Sequence, residues 1–357
     1  MNLDKSIWEN SDTATAYRRN QIRSAGFLIG LAVLLAVAAL LSLRAGSYDT
    51  PVLELVKGVF GQASDSKINL VVRNNRLPRI CTAIVAGAGL GITGCVLQAV
   101  LRNPLASSST LGVSQGASFG AAFAIIVLQM GAAAGLGTVA IPLCAFAGSV
   151  SVALVILGLS RFRQISPEGI VLSGVAISAM FTGGTTLMQY FANEIQLNTL
   201  VFWTFGSLGN TSWGDVGRMA AVVLCSGVYF VWKRWDFNAL LSGEETAVSL
   251  GINVRRLTLV NMLLCCLTAS VIVSYIGLIN FIGLAAPHAV RLAVGNNHVY
   301  LLPGSAIAGA ALLLLGDLVA RMAISPVILP IGAITSFLGG PLFLYLLFKG
   351  GKRSVDG

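Results

Sequence analysis

The chain has 357 residues, of which 55% are hydrophobic and only 10% charged, and its mean hydropathy is +0.82. A water-soluble protein of this length needs far more charge to cover its surface. A membrane barrel would alternate apolar and polar residues, whereas these apolar runs are continuous. The net charge of +9 does not point to nucleic acid, because the basic residues sit between apolar runs, as in membrane loops. The fold class is therefore all-α, a polytopic membrane protein.

The first apolar run, 24–43, follows Arg18, Arg19 and Arg23. It is too long and too far from the N-terminus for a cleaved signal sequence. It reads as a retained first span, with 1–23 a cytoplasmic tail. Further spans fall at 80–100, 111–129, 137–158, 168–190, 213–232, 257–277, 279–294, 302–321 and 331–348, with a tail at 349–357. A span needs about 20 residues to cross about 30 Å of hydrocarbon. The least separated pair is 257–277 and 279–294, divided only by Gly277–Asn280, and its second member carries Pro287. The whole is one transmembrane domain, 24–348.

Ten spans place both termini on one side. With that side cytoplasmic, 15 of the 23 basic residues fall inside and 8 outside, the expected bias for a cell-membrane protein with cytoplasmic termini. Arg73, Arg76 and Arg79 cluster outside, against the rule. Small residues are abundant. Gly87-x-x-x-Gly91, Gly116-x-x-x-Gly120 and Gly131-x-x-x-Gly135 permit close helix contact, but 40 glycines make such spacings common by chance.

The six cysteines all lie in or beside apolar runs, with no CxxC, and only His288 and His298 are present. No metal site, disulfide frame or catalytic centre is expected. Ser178, Thr182, Thr185, Thr186 and Gln189 line one helical face of 168–190. They line a water-filled path, or else bond back to their own helix and pack on a neighbour. Asp317 is the one carboxylate well inside an apolar run, and Arg321 lies four residues on, so the two can pair. Ser166, Pro167 and Glu168 make a good helix start.

The stretch SGEETAVSLGINVRR, 242–256, is unusually polar. Ser242 and Glu245 have the spacing of a capping box. Ala247, Leu250 and Val254 form a modest apolar face, and Gly251 suits a helix stop. This predicts a short cytoplasmic helix between the sixth and seventh spans. A helix lying on the membrane would want a larger apolar face and a more basic polar face, so docking to a protein is the better reading.

Several segments together resemble the FecCD-type permeases, membrane subunits of ABC importers for ferric siderophores, haem and cobalamin: RLPR at 76–79, LQAVLRNPLASSSTLGVSQGASFG at 97–120, FWTFGSLGNTSW at 202–213, the 242–256 stretch, FIGLAAPHAVRLAVG at 281–295, LLPGSAIAGAALLLLGDLVAR at 301–321 and LPIGAITSFLGGPLFLYLL at 329–347. The resemblance implies an ABC type II importer permease fold with ten spans, paired with a second permease subunit as a homo- or heterodimer. It implies two cytoplasmic ATPase subunits, an external substrate-binding protein and a surround of membrane lipid. No G-x-x-x-x-G-K-[ST] occurs in the chain, so ATP and Mg are expected in the partner ATPase and no cofactor in this chain.

Carried over by alignment, coupling to the ATPase falls to the helices at about 237–256, with Glu244, Glu245, Ala247, Leu250, Gly251 and Arg255. Thr246 stands where the family usually has Ala. Arg76, Arg79 and Arg321 align with arginines that meet the binding protein, with lipid headgroup contact the alternative for the first two. Asn103 and Leu105 align with the cytoplasmic gate, and Ser166 with a second gate segment. Trp203, Gly206, Ser207 and Trp213 match the short outer helix and the start of the sixth span. Expected cargo is a ferric siderophore, with haem or cobalamin as alternatives. From a different class, an ion-coupled secondary transporter would need more buried carboxylates than Asp317 alone.

Overall fold

The computed structural model describes residues 3–45, 51–130, 137–163, 166–324 and 327–355. Lipid offers no hydrogen bonds, so each apolar run satisfies its backbone internally as a helix. In chain order the helices are α1 (Leu3–Arg44), α2 (Val52–Val59), α3 (Ser66–Val71), α4 (Leu77–Val100), α5 (Val113–Ala122), α6 (Gly137–Arg163), α7 (Pro167–Tyr190) and α8 (Glu194–Phe205). Then come α9 (Trp213–Trp232), α10 (Arg234–Leu241), α11 (Glu244–Ser249), α12 (Val254–Ile276), α13 (Ile282–Val294), α14 (His298–Met322) and α15 (Ile331–Val355). A π-helical turn, Val72–Arg76, fuses α3 to α4, and another, Phe123–Val127, extends α5.

Among the described residues seven helical stretches are long and apolar enough to cross a membrane, and three shorter apolar helices, Val113–Val127, Ile282–Val294 and Ile331–Tyr345, fill the other expected places. Residues 3–23, expected as a tail, continue the first span as one helix. The Gly277–Asn280 break is real. Gly277 caps α12 at φ 76°, and α13 carries Pro287 within only 13 residues. Thirteen residues rise about 20 Å, so the irregular segment 277–281 completes that crossing.

Helix α4 is the hub, packed by α14, α12, α13 and α9. Most of its length is buried, including Gly87, Gly91 and Gly94. A methyl group on Gly87 would overlap the carbonyl of Gly309, and one on Gly91 the carbonyl of Ser305. The small residues thus let the backbones of α4 and α14 touch. Gly116 and Gly120 do the same for α5 against α6, at Gly148 and Cys144. These two spacings therefore serve contacts within the chain. The third, Gly131 to Gly135, lies outside the described residues.

The irregular link 101–112 satisfies part of its backbone with its own side chains. Ser107 and Thr110 exchange bonds, the Ser107 N–H donating to Thr110 Oγ1 (2.9 Å) and the Thr110 N–H to Ser107 Oγ (3.2 Å). Gly112, at φ 86°, then turns the chain into α5.

Gly91→Leu is expected to lower the thermal unfolding midpoint in detergent, at a cost of about 1–3 kcal/mol from overpacking. Gly183→Leu is the control, since nothing lies within 4 Å of a β-carbon there, and its midpoint should stay unchanged.

Candidate functional site

At one end of the bundle, helices α10 and α11 form a compact corner between α9 and α12. Asn238 on α10 clips it to the start of α14. The Asn238 Oδ1 accepts the His298 backbone N–H (2.8 Å) and lies 2.9 Å from His298 Nδ1, while Asn238 Nδ2 donates to Asn297 Oδ1 (3.0 Å). Sequence reasoning missed this clip, because its partners are about sixty positions apart.

The expected capping box is not formed. Ser242 instead ends α10 at φ −78°, ψ 0°, and Gly243, at φ 112°, takes the N-cap of α11 without a side-chain bond. Glu245 therefore sits in the first turn, exposed. Thr246 supplies a different link, its hydroxyl donating to the Ser242 carbonyl (3.1 Å).

The stop at Gly251 is as expected. The Gly251 N–H donates to the Val248 carbonyl (2.9 Å) and the Ile252 N–H to the Ala247 carbonyl (3.0 Å), with Gly251 at φ 81°. This is a Schellman closure, in which glycine takes the left-handed position.

The expected apolar face splits. Ala247 is buried against the chain, while Leu250 is 66% and Val248 58% exposed. Leu250 and Gly251 line a cleft of about 590 Å³ with Trp232, Lys233, Asp236 and Arg256. The corner thus offers two bare aliphatic side chains and an acidic first turn to a partner.

Two polar links, one of them ionic, join this corner to neighbouring elements. Glu244 Oε2 lies 3.3 Å from Arg102 Nη2, in the loop after α4. Arg255 Nη2 donates to the Arg161 carbonyl at the end of α6 (2.7 Å). Asn103 and Leu105 therefore stand next to a residue held by α11. Asn103 Oδ1 accepts the Leu105 N–H (2.8 Å), an Asx turn that projects Leu105, 45% exposed. Ser166 is the N-cap of α7, accepting from the Gly169 N–H (3.2 Å). Deeper in, Arg291 Nη2 donates to Gln98 Oε1 (2.7 Å), joining α13 to α4.

The polar strip on α7 is largely satisfied by its own helix. Ser178, Thr185 and Thr186 donate to the carbonyls of Gly174, Phe181 and Thr182 (2.7, 2.9 and 3.0 Å). Thr185 is buried, Ser178 and Gln189 are half-buried, and Thr182 and Thr186 are exposed. They share that exposed surface with Leu172, Met180 and Leu187, so the face is mixed rather than a continuous polar groove.

At the other end, α8 is set by a capping box that the sequence reading did not find, Asn193 with Gln196. The irregular segment after it is tied down where the Ser207 N–H donates to the Ile276 carbonyl (2.9 Å). Nearby, Trp213 Nε1 donates to the Arg73 carbonyl (2.9 Å).

The three arginines expected to meet an external partner face inward. Arg76 is 7% exposed and donates from Nη1 to the Leu43 carbonyl (2.7 Å). Arg79 donates from Nε and Nη2 to Asp317 Oδ1 (2.9 and 2.8 Å). Arg321 Nε lies 3.0 Å from Asp317 Oδ2, and its Nη1 donates to the Ala45 carbonyl (2.9 Å). The expected Asp317–Arg321 pair is present, but the fully buried carboxylate serves Arg79 as well. The three guanidiniums are committed to the end of α1 and to Asp317, because an unpaired charge there is costly. The exposed cations at this end are Arg44, Lys67, Arg73 and Arg218.

Asp317→Ala is expected to lower thermal stability by about 3–5 kcal/mol, because it strands two guanidiniums that are 14% and 9% exposed. The unfolding midpoint in detergent checks this.

Comparison with known proteins agrees with this arrangement. The model of the FecCD transport family matches residues 34–349. A protein assigned as an ABC transporter permease in Methanocaldococcus jannaschii is 47% identical over 333 residues, covering 92% of this chain and 95% of that protein. The hemin transport system permease of Yersinia pestis is 34% identical, covering 91% and 95%. The vitamin B12 import system permease of Escherichia coli is 36% identical, covering 95% and 99%. Among solved structures, an inward-facing transporter assigned to the metal-chelate type of ABC transporter matches with a TM-score of 0.80 and 30% identity, over 91% of this chain and 99% of that one. With its ten apolar helices and its α10–α11 corner, the chain belongs to the FecCD transport family and is an ABC importer permease of that family.

Proposed function

We propose that this permease carries a metal chelate, a ferric siderophore, across the cytoplasmic membrane, driven by ATP hydrolysed in two partner subunits. The relatives support a bulky metal-chelate cargo, since haem and cobalamin both belong to that class. Iron chelates fall within the same chemistry. The basic bias of the loops supports cytoplasmic termini and a cytoplasmic α10–α11 corner.

The observation that carries the ATPase partnership is the corner itself. A six-residue helix, stopped at Gly251 and following the α10 helix that Asn238 pins to α14, leaves Val248 and Leu250 exposed. An isolated protein gains nothing by that exposure; a protein cleft that covers those side chains does. Closure of the ATPase dimer would push this corner. The loop bearing Asn103 and Leu105 and the segment at Ser166 would then open or close the inner mouth. A second permease subunit would cover the exposed face of α7, with Ser178, Thr182, Thr185 and Gln189 toward the path.

At the outer end, an acidic binding protein would meet the exposed Arg44, Lys67, Arg73 and Arg218. Arg76, Arg79 and Arg321 would hold the outer ends of α1, α4 and α14 in place beneath it.

Affinity purification of the tagged chain with its partners should recover an ATPase in fixed ratio, and Gly251→Asp should reduce that recovery. Aspartate strains the left-handed position and places a charge on the docking edge. Uptake that ignores vanadate and collapses with a protonophore would refute the ATP-driven reading. Arg73→Glu with Arg218→Glu should weaken binding-protein association by about tenfold at low salt and less at high salt. Surface plasmon resonance against the immobilised complex at two salt concentrations reads the difference.

A further inference from the structure

Helices α4 and α11 end in the same way. In α4 the Arg102 N–H donates to the Ala99 carbonyl (3.3 Å) and the Asn103 N–H to the Gln98 carbonyl (3.2 Å). In α11 the equivalent bonds come from Gly251 and Ile252. Both are Schellman closures, and both place one residue in the left-handed region: Gly251 at φ 81° and Arg102 at φ 45°. Glycine is the residue this position favours, because any β-carbon there crowds the backbone. Arg102 stands where local backbone preference argues against it. Such departures concentrate where a side chain has work to perform.

The side chain of Arg102 goes to a charge on another element. Its Nη2 lies 3.3 Å from Glu244 Oε2 at the start of α11. The pair with Glu244 is solvent-exposed, with side-chain exposures of 38% and 60%, so it adds little to stability. A weak, exposed pair with a strained backbone beneath it is poor glue. An exposed pair of that kind is made and broken at little cost, and it joins the docking helix to the loop after α4.

We propose that Arg102 is a positioning residue that transmits displacement of the docking helix to the Asn103–Leu105 loop. Glu244 is its lever arm. When the ATPase shifts α11, Glu244 moves with it. Arg102 follows, and the Asx turn that projects Leu105 moves as one piece. The inference rests on the permease–ATPase reading above.

The experiment uses the purified permease–ATPase complex in nanodiscs, with Leu105→Cys reporting loop position through its rate of reaction with a polar maleimide. The same complex without Leu105→Cys corrects for the native cysteines. In the presence of ATP, Mg and vanadate, the labelling rate should change about fivefold or more when residue 102 is Arg or, by Arg102→Lys, a cation of similar reach. With Arg102→Gln or Arg102→Gly the change should fall below roughly twofold. Arg102→Gly should recover the ATPase as well as the parent does and unfold at no lower temperature, since glycine relieves the turn. That pattern separates transmission from a merely structural role, which would lower the unfolding temperature. A full ATP response in Arg102→Gly, or a parent loop that ignores ATP while its ATPase is bound and active, overturns the proposal. Failure of the parent to recover any ATPase is read separately, by the purification itself. That outcome overturns the permease–ATPase reading and this proposal with it.

Discussion

Backbone contact between α4 and α14, at Gly87 and Gly91 against Gly309 and Ser305, places most of what surrounds it. In lipid, apolar side chains gain nothing by leaving acyl chains for one another, so close packing and polar links must hold helices together. The absence of side chains along this seam allows the tightest approach. With α14 fixed on one side of α4, the buried face of α12 and the short α13 find their places on the others. Arg79 and Asp317 tie this pair near one end, and near the other end α4 and its following loop are tied to α13 and α11 instead.

Those links sit in different regimes. Toward the α8 end, Asp317 holds Arg79 and Arg321 without water, and Arg76 and Arg321 also fasten the end of α1. There each charge depends on its partner, so the cluster behaves as a rigid joint. Toward the α10–α11 corner, Arg291 grips Gln98 inside the bundle, and one turn beyond it Arg102 reaches Glu244 in the open. Helix α4, about 36 Å long by its 24 residues, thus runs from a fixed joint to a soft one. An importer that opens toward one side while holding shape at the other has use for that asymmetry.

Much of the site could be read from residues near one another in the chain. The Ser166 cap, the Gly251 stop and the break at Gly277 each depend on a few consecutive residues, and all three stand as the sequence suggests. The 242–245 box failed for a local reason too: Gly243 reaches a φ of 112° that frees the chain to begin α11 there, and Ser242 was already spent ending α10. The polar strip on α7 was legible as a periodicity but not as a surface, because its hydroxyls could turn to their own carbonyls. The roles of Ser107 and Thr110 escaped notice, since a run of hydroxyls names no partner in advance.

Composition and the long apolar runs determined by themselves that this chain is a polytopic helical membrane protein, and the ordered motifs determined its family. Those properties follow from the requirement that lipid places on every peptide group, which acts on each segment separately. The local Asp317–Arg321 pair was legible in the sequence, but only the tertiary structure decided that Arg76 and Arg79 turn inward. The carboxylate that binds Arg79 lies 238 positions away, and burial, which no local window contains, makes that pairing obligatory. The same holds for Arg102, whose partner Glu244 is 142 positions distant and which looks, in the sequence, like one more basic residue in an inside loop.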